Sequence, residues 1–492
     1  MLYPIYSIFS FLFFSLLSKN SYAGIDDSIN QITSPIAKAF GDFVFFKISL
    51  WGAELPIVVI LLVISAFIFT FYMNFINLRG FKHAIELISG KHDKKTAEGE
   101  ISHFQALMTA ISGTVGIGNI AGVAVAISVG GVGATFWMIV AGFLGMSTKF
   151  VECTLGVKYR KHNADSSFSG GPMYYLTYGL AELNFPKLGR FLGIFFAAGI
   201  VLGALGIGNM FQSNQAFVQL NVIAGGLLDN YGWLVGFIFA FMVFIVIVGG
   251  IKSIAKVTEK MVPFMAVLYC ISAIIVIAMN AEFLPQAISN IFSGAFSSQG
   301  ITGGALGAMI VGFQRAVFSN EAGIGSASIA HAAVKTDQPI TEGIVAILGP
   351  FIDTLIICTL TALVISVVSV AQPGFAGDAV GIAMTSAAFE SQISWFPYPI
   401  ALAGLLFAFS TMISWSYYGL KGWTYLFGED KQLAYKLIFC VFVMLGCMVK
   451  LKPILDISDA LVFLICIPNI IGLYMLAPTV KKDLKTYWLN KQ

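Results

Sequence analysis

Long apolar segments alternate with short polar connections along almost the whole chain. An apolar run of about 20 residues is long enough to cross the hydrocarbon core of a bilayer as a helix. The alternation predicts eleven membrane-spanning helices. The predicted spans lie at about 55–78, 104–128, 133–156, 191–221, 232–250, 261–279, 303–332, 340–370, 398–427, 433–449 and 455–478. A further stretch, 282–302, lacks Lys and Arg, and the spacing of its Phe and Ile residues predicts a surface helix.

The composition is that of an all-α protein that crosses a membrane many times. Of the 492 residues, 58% are hydrophobic and only 11% are charged, and the mean hydropathy is +0.85. A soluble globular protein does not need so much apolar surface. The 6 cysteines all fall in apolar segments, and none is paired at a spacing typical of metal ligands. We interpret them as small packing residues.

Lys and Arg are distributed unevenly between the predicted loops. Positive side chains concentrate in the cytoplasmic loops of membrane proteins. If the N-terminus is outside, the inside segments are all basic, and these are 79–100, 157–190, 251–260, Lys335, 421–431 and 479–492. The outside segments without Lys or Arg are 129–132, 222–231, 280–302 and 371–396. Only Lys450 and Lys452 depart from this pattern, which predicts a bacterial-type plasma membrane protein with a cytoplasmic C-terminus.

The first residues predict a targeting segment. Residues 1–23 contain a short apolar run and end in Ser21-Tyr22-Ala23, a spacing of small residues typical of signal-peptidase sites. The run carries no Lys or Arg before it, so an uncleaved and partly embedded terminus is the alternative. The units predicted after it are a lead-in at 24–54, one extra transmembrane helix at 55–79, a first five-helix repeat at 103–279, an inverted second repeat at 303–478 and a cytoplasmic tail at 479–492.

A glycine-rich stretch, Ser112–Val123, interrupts the second predicted span. Each glycine costs a helix about 1 kcal/mol relative to alanine, and irregular backbone at membrane depth persists where it is buried in protein or lines a polar cavity. Close helix packing through Gly118 and Gly122 is the alternative. A matching break, Ser319–Ser326, interrupts the seventh span, which begins a second half of opposite topology. Transporters place their binding sites at such paired breaks, so we favour a site.

Polar side chains lie at both breaks. A cation that has lost its water needs oxygen ligands, which broken helices supply as carbonyls. A zwitterionic amino acid needs amides for its carboxylate, as at a helix N-terminus, and free carbonyls for its ammonium. The residues placed to contribute are Thr114, Asn119, Ser319 and Asn320.

The span at 398–427 carries hydroxyls on one face. Ser410, Thr411 and Ser414 lie within one helical turn. They are candidates for the site, although hydroxyls in an apolar helix also bond back to their own carbonyls. Trp415 and Phe318 are candidates for an apolar wall that limits substrate size; simple packing is the alternative.

The span at 191–221 is rich in amide side chains. Asn209, Gln212, Asn214 and Gln215 fall within seven residues, which is unusual at membrane depth. They either line the cavity or join helices by hydrogen bonds. Asn209 and Gln212 are the better candidates for cavity contact.

A few ionisable residues lie inside predicted spans: Glu152, Arg315, Glu321 and Asp353. Because each is costly there, each needs a partner. A pair between Arg315 and Glu321 or Asp353 is the simplest arrangement, and a proton relay is the alternative. The histidines are scattered along the chain, which argues against a metal site. No catalytic constellation and no ATP-binding motif is present, so we predict neither an enzyme nor an ATP-driven pump.

Several motifs together resemble the alanine or glycine:cation symporter family, also called sodium:alanine symporters or amino acid carrier proteins. These motifs are Phe104–Ala110, Gly113–Ala124, Phe136–Met138, Gly145–Glu152, Lys158–Arg160, Gly170–Tyr175, Phe318–Ser326 and Phe351–Thr354. They follow one another in the family's order over roughly 55–478. One departure is Q-R-A-V at Gln314–Val317, where members of the family often carry K-R-G-L.

The resemblance implies a leucine-transporter-type fold with a 5+5 inverted repeat and one extra N-terminal helix. It implies symport of alanine, glycine or a close relative with Na⁺, or sometimes H⁺, by alternating access, and no cofactor or obligatory protein partner. A proton-coupled carrier of the same fold is the alternative, and an ion channel is a more distant one.

The resemblance also implies a set of site residues. The Na⁺ ligands would be carbonyls of Ser112 and Val115 with hydroxyls of Ser410, Thr411 or Ser414. The residues around the amino acid would be Thr114, Ile117, Gly118, Asn119, Phe318, Ser319 and Trp415, next to the cavity candidates Asn209 and Gln212.

Overall fold

The computed structural model describes residues 34–35, 37–50, 53–92, 96–297, 304–448 and 452–491. The predicted signal peptide lies outside these residues. The described part of the lead-in forms a helical stretch at 37–44 and then an antiparallel hairpin of strands β1 (Lys47–Leu50) and β2 (Ala53–Pro56). The lead-in therefore ends in a hairpin that feeds directly into the first apolar helix.

Helices make up almost all of the first half. They are α1 (Ile57–Tyr72), α2 (Ile76–Arg79), α3 (Phe81–Ile88), α4 (His103–Thr114), α5 (Ile117–Gly130), α6 (Ala134–Lys158), α7 (Pro172–Glu182), α8 (Pro186–Leu205), α9 (Phe211–Ile223), α10 (Gly232–Val248), α11 (Gly250–Met279) and α12 (Leu284–Phe296). A π-helical turn, Gly206–Met210, joins α8 to α9. The short antiparallel strands β3 (Lys161–His162) and β4 (Phe168–Ser169) connect α6 to α7. Helix α7 begins at Pro172, whose fixed φ suits the first helical position. Helix α12 falls in the segment predicted as a surface helix.

The second half repeats this organisation. Its helices are α13 (Gly304–Asn320), α14 (Ala327–His331), α15 (Pro339–Ala346), α16 (Leu348–Pro350), α17 (Thr359–Ala371), α18 (Ile382–Glu390), α19 (Pro397–Phe427), α20 (Gln432–Met448) and α21 (Lys452–Lys491). A π-helical segment, Phe351–Cys358, joins α16 to α17, and short 3₁₀ turns occupy Ala281–Phe283 and Glu429–Lys431.

Both predicted breaks are present, and they face each other. Helices α4 and α5 meet at a bend of 45°. Helix α13 ends at Asn320, and α14 begins at Ala327. The first part of each broken helix packs against the second part of the other, α4 against α14 and α13 against α5. This antiparallel crossing is what an inverted repeat requires, and it brings the two breaks together.

The number of long apolar helices is smaller than the predicted number of spans. Among the described residues, 7 helices are long and apolar enough to cross a membrane, and an eighth span is obtained if α4 and α5 are taken as one. Helices α1 and α10 are apolar but shorter. The predicted total of eleven spans is therefore not confirmed.

The segment predicted as a C-terminal tail is helical. Helix α21 continues beyond the predicted end of the last span, near position 478, to Lys491 and contains Pro478 within it. A proline inside a helix removes one backbone hydrogen bond and clashes with the preceding turn, yet this helix continues past it. The location of the tail in the cytoplasm stays a prediction.

The outer surface of the bundle is apolar. Helices α10 and α11 expose Phe237, Phe241, Phe264 and Ile271. The interior carries polar and ionisable side chains on α4, α6, α13 and α19. A helix bundle that is apolar outside and polar inside is suited to lipid, because the polar groups satisfy one another within the protein.

Candidate functional site

The first break consists of an extended backbone at Val115 and Gly116 between α4 and α5. The side chain of Asn119 turns back, and its Oδ1 accepts from the amide of Gly116 at 3.0 Å. A Cβ atom on Gly116 would stand 3.0 Å from Oγ1 of Thr411, so a side chain there would press on α19. Glycine thus lets α19 approach the open backbone closely.

The second break, Glu321–Ser326, needs unusual backbone angles. Glu321 has φ +57°, and Gly323 and Gly325 have φ near +94° and +92°. Non-glycine residues seldom adopt such angles, and local structure must hold them in place. A Cβ on Gly325 would also stand 2.5 Å from Cγ of Pro172. The glycines of the sequence motif are therefore required by the backbone itself.

A buried carboxylate from α6 supports the second break. Oε1 of Glu152 accepts from the amide of Gly323 at 2.9 Å and from Nδ2 of Asn469 at 2.8 Å. Asn469 also donates to the carbonyl of Gly323 at 2.8 Å and accepts from the hydroxyl of Tyr175. Oε2 of Glu152 has no hydrogen-bond partner in the described structure. Glu152 thus caps the broken helix.

A chain of hydrogen bonds connects the two breaks. Nδ2 of Asn119 donates to Oγ of Ser319 at 3.0 Å, and that hydroxyl donates to Oδ1 of Asp353 at 2.5 Å. Thr354 donates to the same carboxylate oxygen at 2.9 Å and accepts from Asn320 at 3.0 Å. Oδ2 of Asp353 is buried without a partner among the described residues. We call this set, Asn119, Ser319, Asn320, Asp353 and Thr354, the carboxylate cluster.

Oxygen atoms from α4 and α19 form a second polar set. Oγ of Ser112 and Oγ of Ser414 contact each other, and each also lies within hydrogen-bond distance of the carbonyl of Thr109, at 2.9 and 3.0 Å. The two hydroxyl protons serve two of these three contacts at a time. Oγ1 of Thr411 donates to the carbonyl of Ser112 at 3.1 Å. All four residues are buried. We call this set, Thr109, Ser112, Thr411 and Ser414, the hydroxyl cluster.

A small cavity of about 30 Å³ lies between the breaks. A buried water needs about 10–15 Å³ of such space, so the cavity has room for only a few atoms in this conformation. The predicted residues that line it are Thr114, Gly118, Gln212, Phe318, Thr411 and Trp415. Nε1 of Trp415 donates to the carbonyl of Gly113 at 3.1 Å, which fixes the indole against the first break.

Gln212 is an unsatisfied acceptor at this cavity. Its Nε2 donates to the carbonyl of Ile207 at 3.2 Å, while Oε1 is buried without a hydrogen-bond partner in the described structure. Glu321, which was not among the predicted ligands, also lines the cavity, and its carboxylate accepts from Ser326. The cavity thus offers acceptor oxygens from two sides.

Ser112, Asn119, Ser319 and Ser414 belong to the two polar clusters but do not line the cavity, whereas Ile117, Asn209 and Ser410 lie neither in those clusters nor at the cavity. Ile117 packs against Ala216 and Ala408. Nδ2 of Asn209 donates to the carbonyl of Phe439 at 2.7 Å, which makes it a link between helices. Oγ of Ser410 bonds back to the carbonyl of Phe407, at 3.0 Å, as an isolated helical serine does.

Val115 and Thr114 lie at the first break, but the amide of Val115 and the hydroxyl of Thr114 are already hydrogen-bonded to the backbone of α4. Val115 is buried in the first break, and its amide bonds to the carbonyl of Ile111 at 2.6 Å. The Thr114 hydroxyl donates to the same carbonyl at 3.2 Å, although the residue lines the cavity.

The expected pairing of Arg315 is wrong. Arg315 interacts electrostatically with Asp459 on α21, and both residues line a different cavity. Glu321 and Asp353 instead bond to hydroxyls, those of Ser326 and Ser319. Arg315 lies within α13, whereas Glu321 is the first residue of the second break, where the backbone has left the helix.

Sequence reasoning missed two parts of the site. Asp353 was noted as an ionisable residue but not as a ligand, although an acid inside a span is a functional candidate by default. Lys149 was not noted, yet it is buried in α6 and interacts electrostatically with Glu152, Glu321 and Asp353. The buried ionisable groups here are thus mainly acidic.

These features define a class of membrane protein. Two broken helices of opposite direction meet in the interior, and the polar groups at their breaks surround a small cavity. Such a site belongs to a secondary transporter that binds an ion and a small polar solute at the centre of an inverted repeat.

Sequence comparisons make the identification specific. Residues 42–492 match the Sodium:alanine symporter family, and the chain belongs to that family. It is 40% identical over 442 residues to the sodium/alanine symporter AgcS of Methanococcus maripaludis, covering 89% of this chain and 94% of that protein. It is 35% identical over 425 residues to the amino-acid carrier protein AlsT of Bacillus subtilis, covering 85% and 86%. The protein is therefore a cation-coupled amino-acid symporter and not an enzyme.

A solved structure supports the fold. The chain is similar to MhsT in complex with L-phenylalanine, with a TM-score of 0.55 and 16% sequence identity over 76% of this chain and 89% of that chain. This likeness concerns the fold alone. It confirms the leucine-transporter-type architecture that the sequence motifs imply.

Proposed function

We propose that this protein imports alanine or glycine together with Na⁺ by alternating access across a plasma membrane, with its C-terminus in the cytoplasm. The observation that carries the proposal is the hydrogen-bond chain Asn119–Ser319–Asp353, which joins the two breaks beside the cavity. Because the chain connects both halves of the inverted repeat, a ligand bound there contacts both halves at once. Such a ligand can favour one conformation of the two halves over another.

The groups around the cavity favour one orientation of an amino acid, which requires the cavity to widen beyond the few atoms it holds in this conformation. The N-terminus of α5 presents amides and the positive end of a helix dipole, which suit a carboxylate. Oε1 of Gln212 and the carboxylate of Glu321 are acceptors for the ammonium. Trp415 and Phe318 close the cavity on its apolar side. The small size of the cavity favours an amino acid with a small side chain over one with a large side chain.

The hydroxyl cluster is a suitable place for Na⁺. The carbonyls of Thr109 and Ser112 and the hydroxyls of Ser112, Thr411 and Ser414 are hard oxygen donors that converge from α4 and α19. Hard oxygen ligands suit alkali cations, and neutral ones replace the hydration shell without storing a buried charge. A bound Na⁺ would hold α4 against α19 and so favour closure of the first break.

Asp353 provides the alternative for coupling. Its unpartnered Oδ2 would be satisfied either by a second cation next to Ser319 and Asn119 or by a proton. A buried carboxylate oxygen without a hydrogen-bond donor is costly, so binding of a cation or a proton at Oδ2 would stabilise the closed site. This observation keeps proton-coupled transport as the second candidate function.

Uptake into proteoliposomes tests the proposal. The purified protein would be reconstituted, and labelled alanine uptake measured with inward Na⁺, with K⁺ in its place, and with an inward proton gradient at zero Na⁺. We expect accumulation against the alanine gradient only with Na⁺. Equal accumulation from the proton gradient alone would favour the second candidate, and uptake that never exceeds equilibrium would indicate a channel.

A further inference from the structure

A cluster of potential metal ligands lies far from the transport site, on α3 and the turn that follows it. Nδ1 of His83 and Oε2 of Glu86 are 3.1 Å apart, and Nε2 of His92 is 3.6 Å from the same oxygen. All three ligand atoms lie within 4.8 Å of one another. The spacing of histidines along the sequence argued against a metal site, but His83 and His92 converge because α3 ends at Ile88 and the chain turns back.

These separations fit a tetrahedral cation. Zn²⁺ binds His nitrogen and carboxylate oxygen at about 2.0–2.2 Å, so neighbouring ligand atoms in a tetrahedron are about 3.3–3.6 Å apart by the same geometry. The separation of 3.6 Å lies in this range, and the separation of 3.1 Å is slightly shorter. Two histidines and one carboxylate leave a fourth position open for water.

The surroundings supply the outer shell that a metal-bound histidine needs. Nε2 of His83 is 2.5 Å from the hydroxyl of Tyr487 on α21. A partner on the second ring nitrogen fixes the orientation and tautomer of a ligating histidine. A cavity of about 700 Å³, lined by His92 and Tyr487 among others, opens beside the cluster and provides an entry path.

A protein cation now lies against these ligands. Nζ of Lys491 is 2.7 Å from Nδ1 of His83 and 4.0 Å from Oε2 of Glu86. Nδ1 and Oε2 are two of the atoms that would bind the metal. An ammonium at this point shows that the cluster attracts positive charge, and it also means that a metal ion would have to displace Lys491.

We propose that His83, Glu86 and His92 form a binding site for a divalent transition-metal ion with the ligand preference of Zn²⁺. Binding replaces the contact of Lys491 with α3 by a metal centre, while Tyr487 keeps its hydrogen bond to His83. The metal therefore changes how the end of α21 is held against α3. The site is independent of the amino-acid and Na⁺ ligands.

Calorimetric titration of Zn²⁺ into the purified, tag-free, full-length protein tests the site. We expect one Zn²⁺ per chain, with binding lost in His83→Ala and in His92→Ala. Tyr487→Phe should weaken binding about tenfold, the lower end of the range for loss of an outer-shell partner. His162→Ala removes an exposed histidine elsewhere and is the matched control, with unchanged binding expected.

Lys491→Ala gives the sharpest result, because this variant should bind Zn²⁺ more tightly than the wild type. Binding by the wild type that is no tighter than by His83→Ala and His92→Ala would overturn the proposal. So would weaker binding in Lys491→Ala. Elution as a single monodisperse peak and unchanged alanine uptake without metal show that each variant is folded, so that a lost site is not mistaken for a lost protein.

Discussion

The two breaks differ in what holds them open. The first, at Val115 and Gly116, is short, and its neighbours on α4 and α19 are neutral hydroxyls and carbonyls. The second, Glu321–Ser326, is longer, has positive backbone angles and is supported by carboxylates. The two halves of the repeat thus share a geometry but not a chemistry.

This difference in chemistry suits the first break to ion binding and the second break to structural support. A neutral oxygen cluster can release and rebind a cation without leaving a charge behind in the membrane. A break held by buried carboxylates is fixed in place, since moving it would leave charged oxygens and amides unpaired. We therefore expect changes at the second break to cost stability, and changes at the first break to alter ion coupling in a protein that still folds.

Loss of the Glu152 carboxylate should have the largest effect. Glu152→Leu leaves the amide of Gly323 and one of the two Nδ2 hydrogens of Asn469 without an acceptor, at about 1–3 kcal/mol for each buried donor. A marked fall in the thermal unfolding midpoint of the purified protein is expected. Glu152→Gln keeps an acceptor oxygen and should recover most of the loss. A Glu152→Leu protein as stable as the wild type would show that the second break does not depend on this cap.

Removal of the Asn119 amide, which joins the two breaks, should have the second-largest effect. Asn119→Leu deprives the amide of Gly116 and the hydroxyl of Ser319 of a partner. A loss of about 1–3 kcal/mol for one buried group corresponds to about 5- to 150-fold weaker alanine binding. We expect Na⁺-stimulated alanine uptake to be abolished while membrane insertion, measured by immunoblot of the membrane fraction, is unchanged. Retained uptake would remove Asn119 from the site.

Asp353→Asn tests whether the carboxylate charge takes part in coupling. Asparagine keeps an acceptor for Ser319 but cannot hold a proton or neutralise a cation. We expect at least about a tenfold rise in the Na⁺ concentration for half-maximal uptake, about 1.4 kcal/mol. If Na⁺ dependence is unchanged, Asp353 has a structural role only.

A pair of neighbouring hydroxyls gives the smallest and most selective effect. Thr411→Val removes a hydroxyl that contacts the carbonyl of Ser112, whereas Ser410→Ala removes one that bonds to its own helix. Thr411→Val should raise the Na⁺ concentration for half-maximal uptake about tenfold, and Ser410→Ala should leave that concentration unchanged. Equal effects would mean that the hydroxyl cluster does not bind Na⁺.

The sequence was informative where structure depends on local chemistry. The breaks at Gly116 and at Gly323 follow from glycine's freedom and could be located without coordinates. Hydroxyl spacing placed Ser410, Thr411 and Ser414 on one helix face, but only the packing of α19 on α4 shows that Ser410 is turned away.

Long-range partners could not be read from the sequence. The contact of Glu152 with Asn469 joins residues 317 positions apart, and the convergence of His83 with Tyr487 spans 404. Such pairs depend on how helices pack, which spacing alone does not encode. The predicted pairing of Arg315 failed for the same reason, because its neighbour Asp459 is distant in the chain.

Equilibrium binding of alanine to the purified protein at zero and at saturating Na⁺ tests the central claim, that one paired site binds ion and amino acid together. Linkage requires that each ligand raises the affinity for the other by the same factor. We predict that Na⁺ tightens alanine binding at least about tenfold and that Thr411→Val removes most of this gain. Alanine affinity that is the same with and without Na⁺ would contradict the account.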